Sequence, residues 1–248
     1  MTLRVYKVGG PALEDPDLMA PLAAEVRAQE RVLLVHGGGR HIERLLKALG
    51  IASRFVGGRR ETSPEAMDVV EQVLSGGTNK TLSAGLTAAG VPAVGISGRD
   101  GGLIRARLAP ELGRVGTPER VDPRVLHALW DAGLVPVVSP VSSGPAGEAV
   151  NVNADEAALA LARALRAESL VYLSDVDGVR AESETLASLS AGDARRLTEA
   201  GVITGGMAMK VRAALDAAAA GIAEVVVAGK ARLTGGFAGT RVTTEVLR

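Results

Sequence analysis

Leu3-Arg-Val-Tyr-Lys7-Val8-Gly9-Gly10 is a short apolar run that ends in a glycine pair. Arg31-Val-Leu-Leu-Val-His36-Gly37-Gly38-Gly39 follows the same plan with a glycine triplet. Runs this short and this rich in β-branched residues read as strands, Leu3 to Val8 and Arg31 to His36. Between them, Asp15-Pro16 predicts a helix start, with the aspartate as N-cap and the proline at the first position, running to about Ala28. Strand, helix, strand is the grammar of a parallel sheet with crossover helices.

The pattern continues along the chain. A helix from about His41 to Leu49 stops at Gly50. Residues 51–61 read as an arginine-rich arm or short hairpin. Thr62-Ser-Pro-Glu65 resembles a capping box that opens a long helix towards Ala89. Ala93 to Ile96 is a strand, residues 98–121 read as hairpins, and Asp122-Pro123 opens a helix ending near Gly133. Val135 to Ser139 is a strand, Ala154 to Leu165 a helix, and Leu170 to Ser174 a strand. Helices near 191–200 and from Met207 to Ala220, the strand Glu224 to Ala228, and a last pair around 240–246 complete the chain. The fold class is α/β, a sandwich of helices around a mainly parallel sheet; strand order does not follow from the pattern.

Composition excludes several functions. The 28 basic and 28 acidic residues balance, which gives no uniformly basic surface for nucleic acid. Aromatic residues are 2% of the chain, too few for base-stacking platforms. With no cysteine there is no disulfide, thiolate zinc site or cysteine nucleophile. Charges interrupt every helix-like run before it reaches a membrane span, and the strand-like start carries Lys7 where a signal peptide would be apolar. A cytoplasmic enzyme is the expectation.

Glycine loops at neighbouring strand ends can cradle an anion, because helix N-termini there offer unpaired amides. Singly, each loop is also an ordinary strand-to-helix turn. Lys7 on the same edge favours the anion site. Neither loop has the G-x-G-x-x-G or G-x-x-x-x-G-K-[ST] spacing. Gly76-Gly77-Thr78-Asn79-Lys80-Thr81 only superficially resembles the latter; its glycines, inside a helical run, are expected to admit a packed helix. Asp155 alone reads as a first-turn carboxylate, and Lys210 alone as a solvated helix lysine.

Six motifs in order change this reading: Lys7-x-Gly-Gly, His36-Gly-Gly-Gly39, Gly58-x-Arg60, Asn151-x-Asn153-Ala-Asp155, Ser174-Asp175-Val-Asp177-Gly178-Val179 and Gly205-Gly206-Met-x-x-Lys210. In this order and at these gaps, over essentially the whole chain, the sequence closely resembles the acetylglutamate kinases of the amino-acid kinase family. The resemblance implies a three-layer αβα sandwich around an open, mainly parallel sheet. It implies an N-terminal lobe (1–167) for acetylglutamate binding and dimerisation, and a C-terminal lobe (168–248) for ATP. Lys7 and Lys210 would be catalytic, with Asp155 between them orienting both ammonium groups. Gly38, Gly39, Arg60, Asn151 and Asn153 would bind the acetylamino acid, Arg60 clamping its α-carboxylate with a bidentate fork. Gly9, Gly10, Ser174, Asp175, Asp177, Gly178, Val179, Val202, Ile203, Thr204 and Gly206 would line the phosphate and nucleotide site.

The implied reaction is ATP-dependent phosphorylation of the γ-carboxylate of N-acetylglutamate, a step of arginine biosynthesis. Magnesium is expected on the ATP phosphates, without a protein metal site. Pro11, after the first glycine pair, removes one backbone amide from that loop, and Ser63-Pro64 replaces a more usual threonine-aspartate start. The chain begins directly at the first strand. Arginine-inhibited relatives carry an extra N-terminal helix that links dimers into hexamers, so the resemblance implies a homodimer without that feedback, with the 63–89 helix in the contact. A second reading is a kinase of aminoadipate or glutamate tethered to an acidic carrier protein, with Arg54, Arg59, Arg60, Arg105 and Arg107 as a basic rim. A PII-type regulator is compatible with either. A regulator that had lost catalysis would have lost one of Lys7, Asp155 or Lys210, and all three are present.

Overall fold

The computed structural model describes residues 2–181, 184–234 and 239–244. Its centre is an eight-stranded sheet. In chain order the strands are β1 (Leu3–Val8), β2 (Arg31–His36), β3 (Ala93–Ser97), β4 (Val135–Ser139), β5 (Ser169–Leu173), β6 (Ser188–Ser190), β7 (Glu224–Ala228) and β8 (Thr240–Thr243). Across the sheet the order is β6-β8-β7-β5-β1-β2-β4-β3. Only the β7–β8 pairing is antiparallel among the described residues. The sheet is therefore mainly parallel, as expected. Of the last pair expected around 240–246, the described residues show one strand, β8, and 245–246 lie outside them.

The pleat assigns each side chain to a layer. Leu3 and Val5 of β1, Leu33 and Val35 of β2, and Leu170 and Tyr172 of β5 join one buried cluster. Tyr6 and Val8, Val32 and Leu34, and Val171 and Leu173 join the cluster on the other face. Helices cover both faces, which completes the αβα sandwich. They are α1 (Met19–Arg27), α2 (Gly39–Ala48), α3 (Pro64–Glu71, continuing through a π-helical stretch Gln72–Thr78 into Asn79–Ala88), α4 (Arg124–Asp131), α5 (Ala154–Ala164), α6 (Ala191–Glu199) and α7 (Gly205–Ala219). A small barrel of Ile104–Leu108, Val115–Val121, Ser142–Ser143 and Ala149–Val152 stands beside the main sheet, and Phe55–Val56 pairs with Arg59–Arg60 as a hairpin.

Three local expectations are corrected. The Asp15-Pro16 pair forms a turn rather than a helix start: Asp15 Oδ1 accepts from Asp17 N at 2.9 Å, and α1 begins only at Met19. The cap of α3 is Ser63, whose Oγ accepts from Ala66 N at 3.1 Å, whereas Thr62 Oγ1 donates to Arg60 O at 2.7 Å. Gly76 and Gly77 receive no packed helix among the described residues; a Cβ built on either meets nothing within 4 Å.

Candidate active site

The parallel strands β1, β2, β3, β4, β5 and β7 end at one edge, and the glycine loops lie there. Gly37 N donates to Val8 O at 2.9 Å, which ties the second loop to the end of β1. A Cβ built on Gly10 would stand 3.5 Å from Gly39 N and 3.7 Å from Gly38 N, in ordinary van der Waals contact, so the two loops face each other closely. Gly38 is the N-cap and Gly39 the first residue of α2, whose opening amides have no intrahelical acceptor. Gly9 differs from expectation in one respect: its amide donates to Leu173 O at 2.9 Å and extends the sheet.

Lys7 shares the face of Leu3 and Val5, and this aims it at the start of α5. Its Nζ lies 2.6 Å from Asp155 Oδ1, with the two side chains 8% and 13% exposed. Asn153 caps α5, its Oδ1 accepting from Asp155 N at 2.8 Å, and so fixes the carboxylate's approach. Lys210 comes from α7 on the same side. Burial lowers its pKa most, Lys7 lowers it further, and Asp155 and Asp175 oppose the shift. The two lysines thus feel each other's charge, and the carboxylate paired with Lys7 also acts on Lys210.

A cavity of about 210 Å³ opens beside this pair. Lys7, Gly10, Gly38, Gly39, Arg60, Asn151, Asn153 and Asp155 all line it. Arg60 is 6% exposed. It donates from Nη1 to Glu43 Oε2 at 2.5 Å and to Ser53 Oγ, and from Nη2 to Gly39 O at 3.2 Å. Its guanidinium lies 4.6 Å from the centre of the Phe55 ring. Asn151 Nδ2 donates to Thr62 Oγ1 at 3.0 Å.

The remaining candidates do not line this cavity; those from 174 to 179 follow the end of β5, and those from 202 to 206 lead into α7. Ser174 N donates to Ala228 O at 2.8 Å, and Ser174 Oγ to Asp175 Oδ1 at 3.0 Å. Gly178 has a φ of 152°, and a Cβ there would meet Thr185 and Thr240 side-chain atoms at 2.6 and 2.7 Å. Val179 N donates to Thr240 Oγ1 at 2.8 Å. Asp177 packs on Gly229, where a Cβ would stand 2.4 Å from Asp177 Oδ1. Val202 and Gly206 are exposed and Thr204 is the N-cap of α7, but the Ile203 side chain is buried in the core. Any part Ile203 takes in binding falls to its backbone.

Glu43, Ser53 and Thr62 were not legible as site residues, since each acts through another side chain. Of the proposed basic rim, Arg54, Arg59 and Arg60 are paired with Glu61, Glu156 and Glu43. No helix of the described residues is long and apolar enough to cross a membrane.

The family model for the amino acid kinases matches residues 2–229. The chain belongs to the amino acid kinase family. Within that family its relatives include the acetylglutamate kinase of Rubrobacter xylanophilus, 45% identical over 98% of this chain and 96% of the relative. The acetylglutamate kinase of Geobacillus kaustophilus is 43% identical over the same shares. Among solved structures, the N-acetylglutamate synthase of Neisseria gonorrhoeae, complexed with coenzyme A and N-acetyl-glutamate, superposes with a TM-score of 0.82 at 26% identity. That likeness covers 99% of this chain and 60% of the synthase. The amino acid kinase fold accounts for the position of the glycine loops at the centre of the sheet.

Proposed function

We propose that the chain is an acetylglutamate kinase, transferring the γ-phosphoryl group of ATP to the γ-carboxylate of N-acetyl-L-glutamate in arginine biosynthesis. The observation that carries this reading is the buried Lys7–Asp155 pair, with Lys210 in its field, at the mouth between two glycine loops.

A carboxylate oxygen attacks the γ-phosphorus, the bond from that phosphorus to the β,γ-bridging oxygen breaks, and ADP leaves with the electron pair. The acceptor is already ionised at neutral pH, so no general base is required. Both reactants are anions, and the work left for the protein is to hold them in line and neutralise charge. Lys7 meets the moving phosphoryl from the substrate side and Lys210 from the nucleotide side, while Asp155 orients both ammonium groups. Unit charges about 4 Å apart at an effective dielectric of about 20 interact by about 4 kcal/mol. Half of that, realised only in the transition state, is worth more than tenfold in rate. The amides of Gly38 and Gly39 supply donors that need no reorganisation.

Arg60 and Asn151 hold the acetylamino acid; Arg60 lines the cavity and is held there by Glu43 and Gly39. Residues 174–179 and 202–206 hold ATP, whose phosphates carry magnesium. A cytoplasmic homodimer belongs to the same reading. The neutralisation of three of the five rim arginines favours a free substrate over one tethered to an acidic carrier. Coupled ADP release and hydroxamate trapping of the acyl phosphate, with free and carrier-linked substrates in parallel, test it. Turnover of the tethered substrate alone would sink it.

A further inference from the structure

His36 ends β2, and the pleat turns its side chain to the face opposite Lys7, away from the cavity. It is completely buried. Nδ1 lies 2.8 Å from Gly37 O, and Nε2 lies 3.1 Å from Asn79 Nδ2. The Asn79 amide is oriented by two backbone acceptors, Val137 O at 2.9 Å and Ile96 O at 3.2 Å, which only its nitrogen end satisfies. Its Oδ1 accepts from Lys80 Nζ at 3.1 Å. Gly37 O can only accept, so the proton of the neutral ring sits on Nδ1 and donates to it, which leaves Nε2 an acceptor that shares the two Asn79 amide hydrogens with Val137 O and Ile96 O.

Asn79 thus bonds to three neighbouring strands, to His36 of β2, Val137 of β4 and Ile96 of β3. Room for it depends on Gly95, where a Cβ would stand 2.1 Å from Asn79 Oδ1. The π-helical stretch that delivers Asn79 also lies on the glycine loop: a Cβ on Gly38 would meet Leu74 Cδ2 at 2.7 Å and Thr78 Oγ1 at 3.3 Å.

We propose that His36 and Asn79 are a positioning pair that sets the Gly37–Gly38 peptide, so that the amides of Gly38 and Gly39 face the transferring phosphoryl group. The proposal rests on the kinase reading above. In a trans peptide the carbonyl of Gly37 and the N–H of Gly38 point in opposite directions. With Gly37 O held from behind by His36, the Gly38 amide turns to the mouth, where Gly10 faces it. Two successive glycines would otherwise leave this peptide free to rotate. An imidazolium would set a donor against the Asn79 amide and break the pair. Burial opposes that protonation, as do Lys7 on β1 and Lys80 on α3, the charged groups that act on the ring.

The test has two arms, preceded by wild-type turnover, so that loss of the kinase reading is seen separately. Nitrogen-15 NMR of histidine-labelled protein should show His36 as the neutral Nδ1–H tautomer from about pH 5.5 to about 8.5. The Nε2–H tautomer, or a titration near the ordinary value of 6.5, overturns the proposal. This arm uses the unaltered chain and requires no variant to fold.

In the second arm, Asn79→Asp places a carboxylate at Nε2. The imidazolium then donates at both nitrogens and restores the hold on Gly37 O. Relative to wild type, kcat of this variant should be at least tenfold low at about pH 8.5 and recover at least fivefold by about pH 6, with KM for ATP within twofold. A merely structural role for Asn79 would lower Tm and leave the ratio of variant to wild-type kcat constant with pH, and that constancy would refute the pair.

Discussion

Lys7 and Asp155 form a largely buried ion pair: 2.6 Å separates Nζ from Oδ1, and Lys7 reaches the carboxylate from the face of β1 that carries Leu3 and Val5. Its geometry is set twice, by the pleat of β1 and by the Asn153 cap of α5. Removing one partner leaves the other charge buried without compensation. Asp155→Asn is expected to lower unfolding stability by about 3–5 kcal/mol, read by urea titration. It should also lower kcat by at least a hundredfold, because both lysines lose their common counter-charge. Full activity in a stable Asp155→Asn protein would remove Asp155 from the mechanism.

Lys210 is expected to trade stability for rate. Its pKa is lowered, so between that pKa and the ordinary value near 10.5 the unfolded chain binds more protons than the native one. Stability therefore rises with pH across that window, and below it the buried cation is a standing cost. Lys210→Met should raise Tm at neutral pH while kcat falls by two orders of magnitude or more. A fall in Tm would show that Lys210 is held by favourable pairing.

Acid sensitivity should carry the mark of His36, whose pKa burial lowers from 6.5 to about 4. Above pH 6.5 neither native nor unfolded His36 binds a proton, and the contribution is intact. As pH falls from 6.5 towards 4, the unfolded state takes up a proton that the native state refuses, and stability is lost. At about 1.4 kcal/mol per unit the loss approaches about 3 kcal/mol. His36→Gln should flatten this part of the stability profile; an unchanged slope would show that other groups control it.

Arg60→Ala should raise KM for the amino-acid substrate at least tenfold and change KM for ATP little. Arg60→Lys should not restore it, since a single ammonium cannot reproduce the fork that holds Glu43, Ser53 and Gly39 together. An unaltered KM in Arg60→Ala would move the carboxylate clamp elsewhere.

The strands of the core were legible because each is an apolar run bounded by glycine or charge, and β1, β2, β4 and β7 begin and end where that pattern does. Lys7, Asp155 and Lys210 came from spacing and family likeness; geometry then set Lys7 against Asp155 and Lys210 within their electrostatic reach. What stayed hidden depends on contacts between distant residues. Asp15-Pro16 looks like a helix start, yet the Asp15 carboxylate turns back on Asp17 N and outward to Lys230 Nζ at 2.7 Å. Glu43 is half exposed on α2, and only the fold of the hairpin brings Arg60 to it. Asn79 carried one overlooked signal: an asparagine inside a long helix, just after two glycines, is unfavourable there unless its amide is used.

Gly58, at the tip of the 55–60 hairpin, leans on Met209; a Cβ there would stand 2.6 Å from its sulfur. Met209 sits next to Lys210 on α7. The arm that carries Arg60 and the helix that carries Lys210 thus share a contact. A ligand that draws the hairpin inward changes the free energy of α7. By reciprocity, a nucleotide that settles α7 must return the same increment to the hairpin. One thioether thus stands between the arm that carries Arg60 and the helix that carries Lys210.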